Sequence, residues 1–157
     1  MKVVLDTNVY VSAAISSGAP CELIHHWISG SDFEVLICPK LMTEIKDVLL
    51  ERQALRRWIS LADAHLFIHQ VQGLATTLPD PREVAPLLRD LNDDFIIHFA
   101  HEQDANFVIT GDKDFEGWDR ASPRVVSPRT FVTLLNGGSL ALYRWCILST
   151  SQPAMTY

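Results

Sequence analysis

Acidic residues stand at four separated points of the chain, each beside a segment that could aim it at a common place. They are Asp6 in VVLDTN, Glu44 in PKLMTEI, Asp93 and Asp94 in NDDFII, and Asp112 and Asp114 in VITGDKDF. Gathered carboxylates repel: two like charges about 4 Å apart cost roughly 4 kcal/mol at an effective dielectric near 20. Three or four would raise one another's pKa values unless a cation lay between them. All-oxygen donors suit hard ions such as Mg2+ or Mn2+. An ion so held can activate a water and offset charge on a phosphate under attack, so phosphodiester hydrolysis is the natural use.

The elements around these acids must bring them together. Lys2–Leu5 and Phe33–Cys38 are short apolar runs of the kind buried on both faces of a parallel sheet. Phe107–Thr110 and Arg124–Val126 read as two further strands, for four in all. Helices are expected over Val9–Ile15, from Pro20 to Ile28, from Pro39 to Glu51, and from the Ser60–Asp63 capping box to Gly73. Another begins at Asn92 as cap, and a last one at Ser127-Pro128 ends at Asn136-Gly137-Gly138. Gly30-Ser31-Asp32 is a turn, and the proline-rich stretch 76–86 is a loop. Strands alternating with helices imply a three-layer α/β/α domain over a central parallel sheet.

In such a sheet, ligands bind beyond the carboxyl ends of the strands. Asp6 follows the first strand directly, and Asp112 and Asp114 follow the third. Glu44 lies a turn into the helix after the second strand, and Asp93-Asp94 open the helix leading back into the third. Helix N-termini in these units lie at the same edge, so four distant acidic positions converge there. Each also has a plainer reading. Asp6 could close an Asx-turn, Glu44 could be a solvated helix carboxylate, Asp93-Asp94 could complement a helix dipole, and Asp112 and Asp114 could form a turn.

Composition narrows the class. The 157 residues are 48% hydrophobic and 20% charged, which fits one folded domain and not a disordered chain. No apolar run approaches the roughly 18 residues of a membrane span, and the N-terminus reads as a strand, not a signal peptide. Three cysteines, Cys21, Cys38 and Cys146, lack paired spacing and read as free thiols in a reducing compartment, hence a cytoplasmic protein. The net charge of −6 argues against a broad nucleic-acid-binding coat, though not against a local basic rim.

At the acidic motifs the chain resembles the PIN-domain family, and within it the single-domain toxin-like ribonucleases of bacterial toxin–antitoxin pairs. KVVLDTNVYVSA looks like the family's first motif and PKLMTEIKDVL like its second. NDDFIIHFA followed by NFVITGDKDF looks like its third and fourth. The likeness runs over about residues 2–135 in the family's order. It implies a PIN-like fold over residues 1–138, leaving 139–157 as a C-terminal extension packed on the domain or at an interface. It further implies Mg2+- or Mn2+-dependent cleavage of RNA, a small antitoxin partner and a homodimer.

Carried over by position, Asp6, Glu44, Asp93 and Asp112 form the acidic set, with Asp6, Asp93 and Asp112 as metal ligands. Asp94 and Asp114 are neighbours that could substitute or assist. Thr7, Asn8 and Thr110 would orient Asp6 and contact water or phosphate. His98 and His101 share the helix of the third motif, where Asp94–His98 is a possible pair. Lys40, Lys46, Arg52, Arg56 and Arg57 on the second-motif helix and its continuation, and Lys113, Arg120, Arg124 and Arg129 around the fourth motif, are candidate phosphate contacts. Trp27, Trp58, Trp118 and Trp145 could stack on unpaired bases or pack in the core. Two other readings remain: a non-catalytic RNA-binding or regulatory module, and a haloacid-dehalogenase-like phosphatase, for which Asn8 stands where a second Asp is needed.

Overall fold

A computed structural model of the chain describes residues 1–30, 32–82, 91–115, 118 and 122–137, with backbone only at 91–93. The expected 139–157 extension, Cys146, Trp145, Arg120 and the side chain of Asp93 lie outside the described residues.

The chain alternates strand and helix around a five-stranded parallel sheet of order β3-β2-β1-β4-β5. The strands are β1 (Lys2–Leu5), β2 (Glu34–Ile37), β3 (Thr76–Thr77), β4 (Phe107–Ile109) and β5 (Arg124–Val126). The helices are α1 (Thr7–Ile15), α2 (Ala19–Ile28), α3 (Pro39–Lys46), α4 (Leu61–Leu74), α5 (Leu91–Glu102) and α6 (Pro128–Asn136). β1 lies at the centre, which explains its unbroken Val3-Val4-Leu5 run: all three side chains are buried. Phe131 of α6 meets the rings of Phe33 and Phe107 edge-on, each with centroids 5.4 Å away, and locks that helix onto the sheet.

Start and stop signals act where expected. Ser60 Oγ accepts the Asp63 amide at 3.0 Å, and Ser127 Oγ accepts that of Thr130 at 3.1 Å. Gly30 takes φ +84° after α2, a left-handed conformation that glycine adopts without strain.

Four expectations need correction. A fifth strand exists: Thr76 and Thr77 pair with Leu36 and Ile37 inside the stretch expected to be all loop. The two β-branched residues suit an edge strand too short to show periodicity. The helix from Pro39 does not run unbroken to Glu51. It widens into a π-turn at Asp47–Glu51, and a separate 3-10 turn over Gln53–Arg57 carries Arg56 and Arg57. α5 starts at Leu91, so Asn92 lies within the helix and does not cap it. Thr110 falls beyond β4, although its amide still donates to Val126 O at 3.1 Å.

Candidate active site

The register of β1 against β4 builds the centre of the site. Leu5 pairs with Ile109, and the Asp6 amide donates to Ile109 O at 3.0 Å. The next residue on each strand therefore emerges side by side at the carboxyl edge. Thr110 Oγ1 donates to Asp6 Oδ2 at 2.8 Å and accepts the Asp112 amide at 3.0 Å. Asp112 Oδ1 in turn accepts the Asp114 amide at 3.0 Å, which starts a 3-10 turn over Lys113–Phe115. One hydroxyl thus ties the first acidic motif to the fourth.

Asp6 occupies the cap position of α1, yet its side chain makes no capping hydrogen bond. The carboxylate accepts from Thr110, and the Asn8 and Thr7 amides also favour its ionised form, so an Asx-turn at Asp6 and a role as ligand are compatible. Burial pushes the Asp6 pKa above the usual carboxylate value, and the nearby charge of Asp112 pushes the same way. The Thr110 hydroxyl and the Asn8 and Thr7 amides at the positive start of α1 oppose that rise without cancelling it. A half-buried carboxylate made harder to ionise by a second carboxylate is a pair that a cation would relieve. The donors are hard oxygens, so Asp6 and Asp112 fit Mg2+ or Mn2+. Among the described residues, no three His, Cys, Asp or Glu groups gather closely enough to hold a metal.

The other expected residues divide. Asp94 is fully buried in the first turn of α5, whereas Asp114 and Glu44 are exposed. Thr7 is buried, and its hydroxyl has no hydrogen-bond partner among the described residues. Asn8 is exposed on the wall of a cleft of about 450 Å3 that also takes in Ser12, Pro20, Asp112, Lys113 and Pro128. His98 is half-buried and His101 exposed on α5. Among the basic residues, Lys40 lies over the Phe95 ring at 4.2 Å, and Arg57 over Trp58 at 5.3 Å. Arg56 donates to Leu49 O. Lys113 is exposed at the cleft beside Asp112.

One feature escaped the sequence reading. Asp80 Oδ1 accepts the Lys40 amide at 2.9 Å and so caps α3 from forty residues away. The hint was Cys38, a poor cap residue standing at the cap position of a helix that needs one. Burial holds the Cys38 thiol protonated, pushing its pKa up to about 12, in keeping with an inert free thiol. Trp118, among the tryptophans expected to stack or pack, lines a further cleft beside Asp112.

A family model described as PIN domain matches residues 2–114. The chain belongs to the PIN-domain family. Among solved structures, this PIN domain is similar to VapBC2 from Rickettsia felis, determined bound to a DNA fragment from its promoter. The TM-score is 0.56 at 12% identity, over 81% of this chain and 98% of that one. It is also similar to PAE2754 from Pyrobaculum aerophilum, with a TM-score of 0.56 at 16% identity over 87% and 90% of the two chains. At such identities the likeness is one of fold, and it agrees with the expected α/β/α architecture. No curated protein matches the chain. Among the described residues, no helix is long and apolar enough to cross a membrane.

Proposed function

We propose that this PIN domain is a Mg2+- or Mn2+-dependent endoribonuclease and the toxin of a toxin–antitoxin pair. The observation that carries the reading is the Asp6–Thr110–Asp112 linkage at the carboxyl edge of the sheet. Family membership supports nuclease chemistry, and the fold likeness to VapBC2 supports a small antitoxin partner. Homodimer formation belongs to the same reading.

Asp6 and Asp112 would hold the ion, with Asp93 as third ligand by motif position and Asp94 its alternative. A bound ion would supply an activated water and offset charge on the phosphate. The chain's own residues do the positioning. Thr110 fixes the Asp6 carboxylate in one orientation and presents Asp112 beside it. We prefer Asp112 to Asp114 because the Asp114 side chain is exposed and its contribution is the amide that holds Asp112. Glu44 completes the acidic set from α3, while Asn8, exposed at the start of α1, would meet water or phosphate and the buried Thr7 would support Asp6 through its amide. Lys113 offers a cation beside Asp112 for the substrate backbone.

The test is cleavage of single-stranded RNA by the purified chain. Activity is expected with Mg2+ or Mn2+, and its loss with EDTA and in Asp6→Asn. Cleavage that survives both treatments would sink the mechanism. Binding without cleavage would favour the non-catalytic module.

A further inference from the structure

Two clefts meet at the Gly111–Asp112–Lys113 segment. The first, against α1 and α6, belongs to the candidate active site. The second, of about 350 Å3, lies toward the β5 edge, and its walls are Phe115, Trp118, Val125 and Val126. The shared segment makes them neighbouring compartments with Asp112 between them. Asp112 borders both, so a group bound at Asp112 is adjacent to the second compartment.

We propose that this second cleft seats one unpaired base of the RNA, stacked on the Trp118 indole, and so sets where the strand lies relative to Asp112. The inference rests on the ribonuclease reading. The cleft is at the small end of ligand-site volumes and has room for a single planar ring. Trp118, Val125 and Val126 give one side of it an apolar surface for a base face, while Asp112, Lys113 and Ser127 line the rest. Three of the polar groups around it are already engaged. Trp118 Nε1 donates to Pro123 O at 3.0 Å, Thr110 Oγ1 bridges Asp6 and Asp112, and Ser127 Oγ accepts the Thr130 amide. Recognition there is by stacking and shape, which tolerates any base. The Trp118–Pro123 bond also orients the ring before substrate arrives. Overall charge points the same way. A chain of net charge −6 has no broad positive field with which to hold RNA, so stacking must carry a large share of affinity.

The experiment uses the full chain, Trp118→Ala, Trp118→Phe and Lys113→Ala, with a short labelled single-stranded RNA. In Mg2+, Trp118→Ala should raise KM on the order of tenfold with kcat little changed, the cost of one lost stacking contact. Trp118→Phe keeps a stacking face and loses the indole N–H, so it should stay near the wild-type KM. The same RNA carrying one abasic position next to the cut should weaken wild type about tenfold and Trp118→Ala no further. Salt dependence separates the neighbours. Lys113→Ala should reduce the slope of log affinity against log salt by about 0.7, whereas Trp118→Ala should leave it unchanged. An unchanged KM in Trp118→Ala, or a Trp118→Phe as impaired as Trp118→Ala, would overturn the proposal. Should wild type cut no RNA, the nuclease reading fails instead, and the stacking proposal is decided by fluorescence anisotropy. Tenfold weaker binding by Trp118→Ala would then support it, and equal binding would overturn it.

Discussion

The acids at the β1–β4 side of the sheet edge and the acid on α3 are held by different means. Asp6 and Asp112 hang from paired strands and share one hydroxyl through bonds of 2.8 and 3.0 Å. Glu44 rides a helix, is exposed, and lies just before the chain widens at Asp47–Glu51. α3 is fastened near its start, by Asp80 on the Lys40 amide and by Lys40 over Phe95. Sheet register fixes a side chain at a strand end to within one residue. A helix can tilt or turn and carry its acid with it. The strand side is therefore held by hydrogen bonds between the acids' own groups, and the helix side only by the packing and capping of α3.

The strongest way to break this contrast is at Asp6. Replacing it with Asn keeps the shape and removes the charge. RNA cleavage should fall roughly a thousandfold, the rate equivalent of several kcal/mol of lost charge stabilisation. Single-turnover assays at saturating Mg2+ measure this. A variant that retains a tenth of wild-type activity would show that the strand side is not the chemical centre.

Thr110→Val tests whether the linkage, and not the carboxylates alone, matters. It removes the hydroxyl from a position that is almost wholly buried and leaves Asp6 and the Asp112 amide without their shared partner. Losses on outer-shell ligands run to about 10–100-fold in activity or metal affinity. The loss here should appear chiefly as a raised Mg2+ requirement. Activity unchanged across a Mg2+ titration would reduce Thr110 to a packing residue.

Legibility followed the same division. β1, β5 and the cap of α6 stood plainly in the sequence, because Val3-Val4-Leu5, Arg124–Val126 and Ser127-Pro128 are local signals. The convergence of Asp6 with Asp112 followed from topology alone, since both succeed parallel strands. The edge strand at Thr76–Thr77 was hidden because two residues carry no period. The widening after Lys46 was hidden because Leu49 and Leu50 continue an apolar helical pattern through it. Asp80 could not be assigned to α3 at all. A cap supplied across forty residues is a tertiary fact, and no spacing rule encodes it.

On the helix side, smaller effects are expected. Glu44→Gln should lower cleavage about tenfold, since an exposed acid contributes less charge stabilisation than a half-buried pair. Asp80→Ala removes the cap of α3 and should cost about 1 kcal/mol of stability by denaturant unfolding. Its effect on cleavage should not exceed that of Glu44→Gln, because Asp80 acts on α3 through the backbone of its first turn and removes no charge from the acidic set. If either variant matched Asp6→Asn, the two sides of the edge would be equal partners.

The smallest effect is on stability, and its sign opposes intuition. The Asp6 pKa is raised in the folded chain, so in metal-free protein folding favours the protonated form. Below the unfolded carboxylate value, near 3.9, the group is neutral in both states and costs nothing. As pH rises through the folded pKa, ionisation at Asp6 progressively destabilises the fold, and the penalty is complete above it. Asp6→Asn carries no such penalty. At neutral pH in EDTA the variant should therefore melt higher than wild type, and the gap should close as the solution is acidified. Mg2+ should reverse the order, because it stabilises only the chain that binds it. Thermal melts of both proteins across pH, with and without Mg2+, read all three signs. A wild type that melts higher than Asp6→Asn in EDTA at neutral pH would mean that the Thr110 bond and the α1 amides outweigh burial. The edge would then be built for a bare carboxylate and not for a cation.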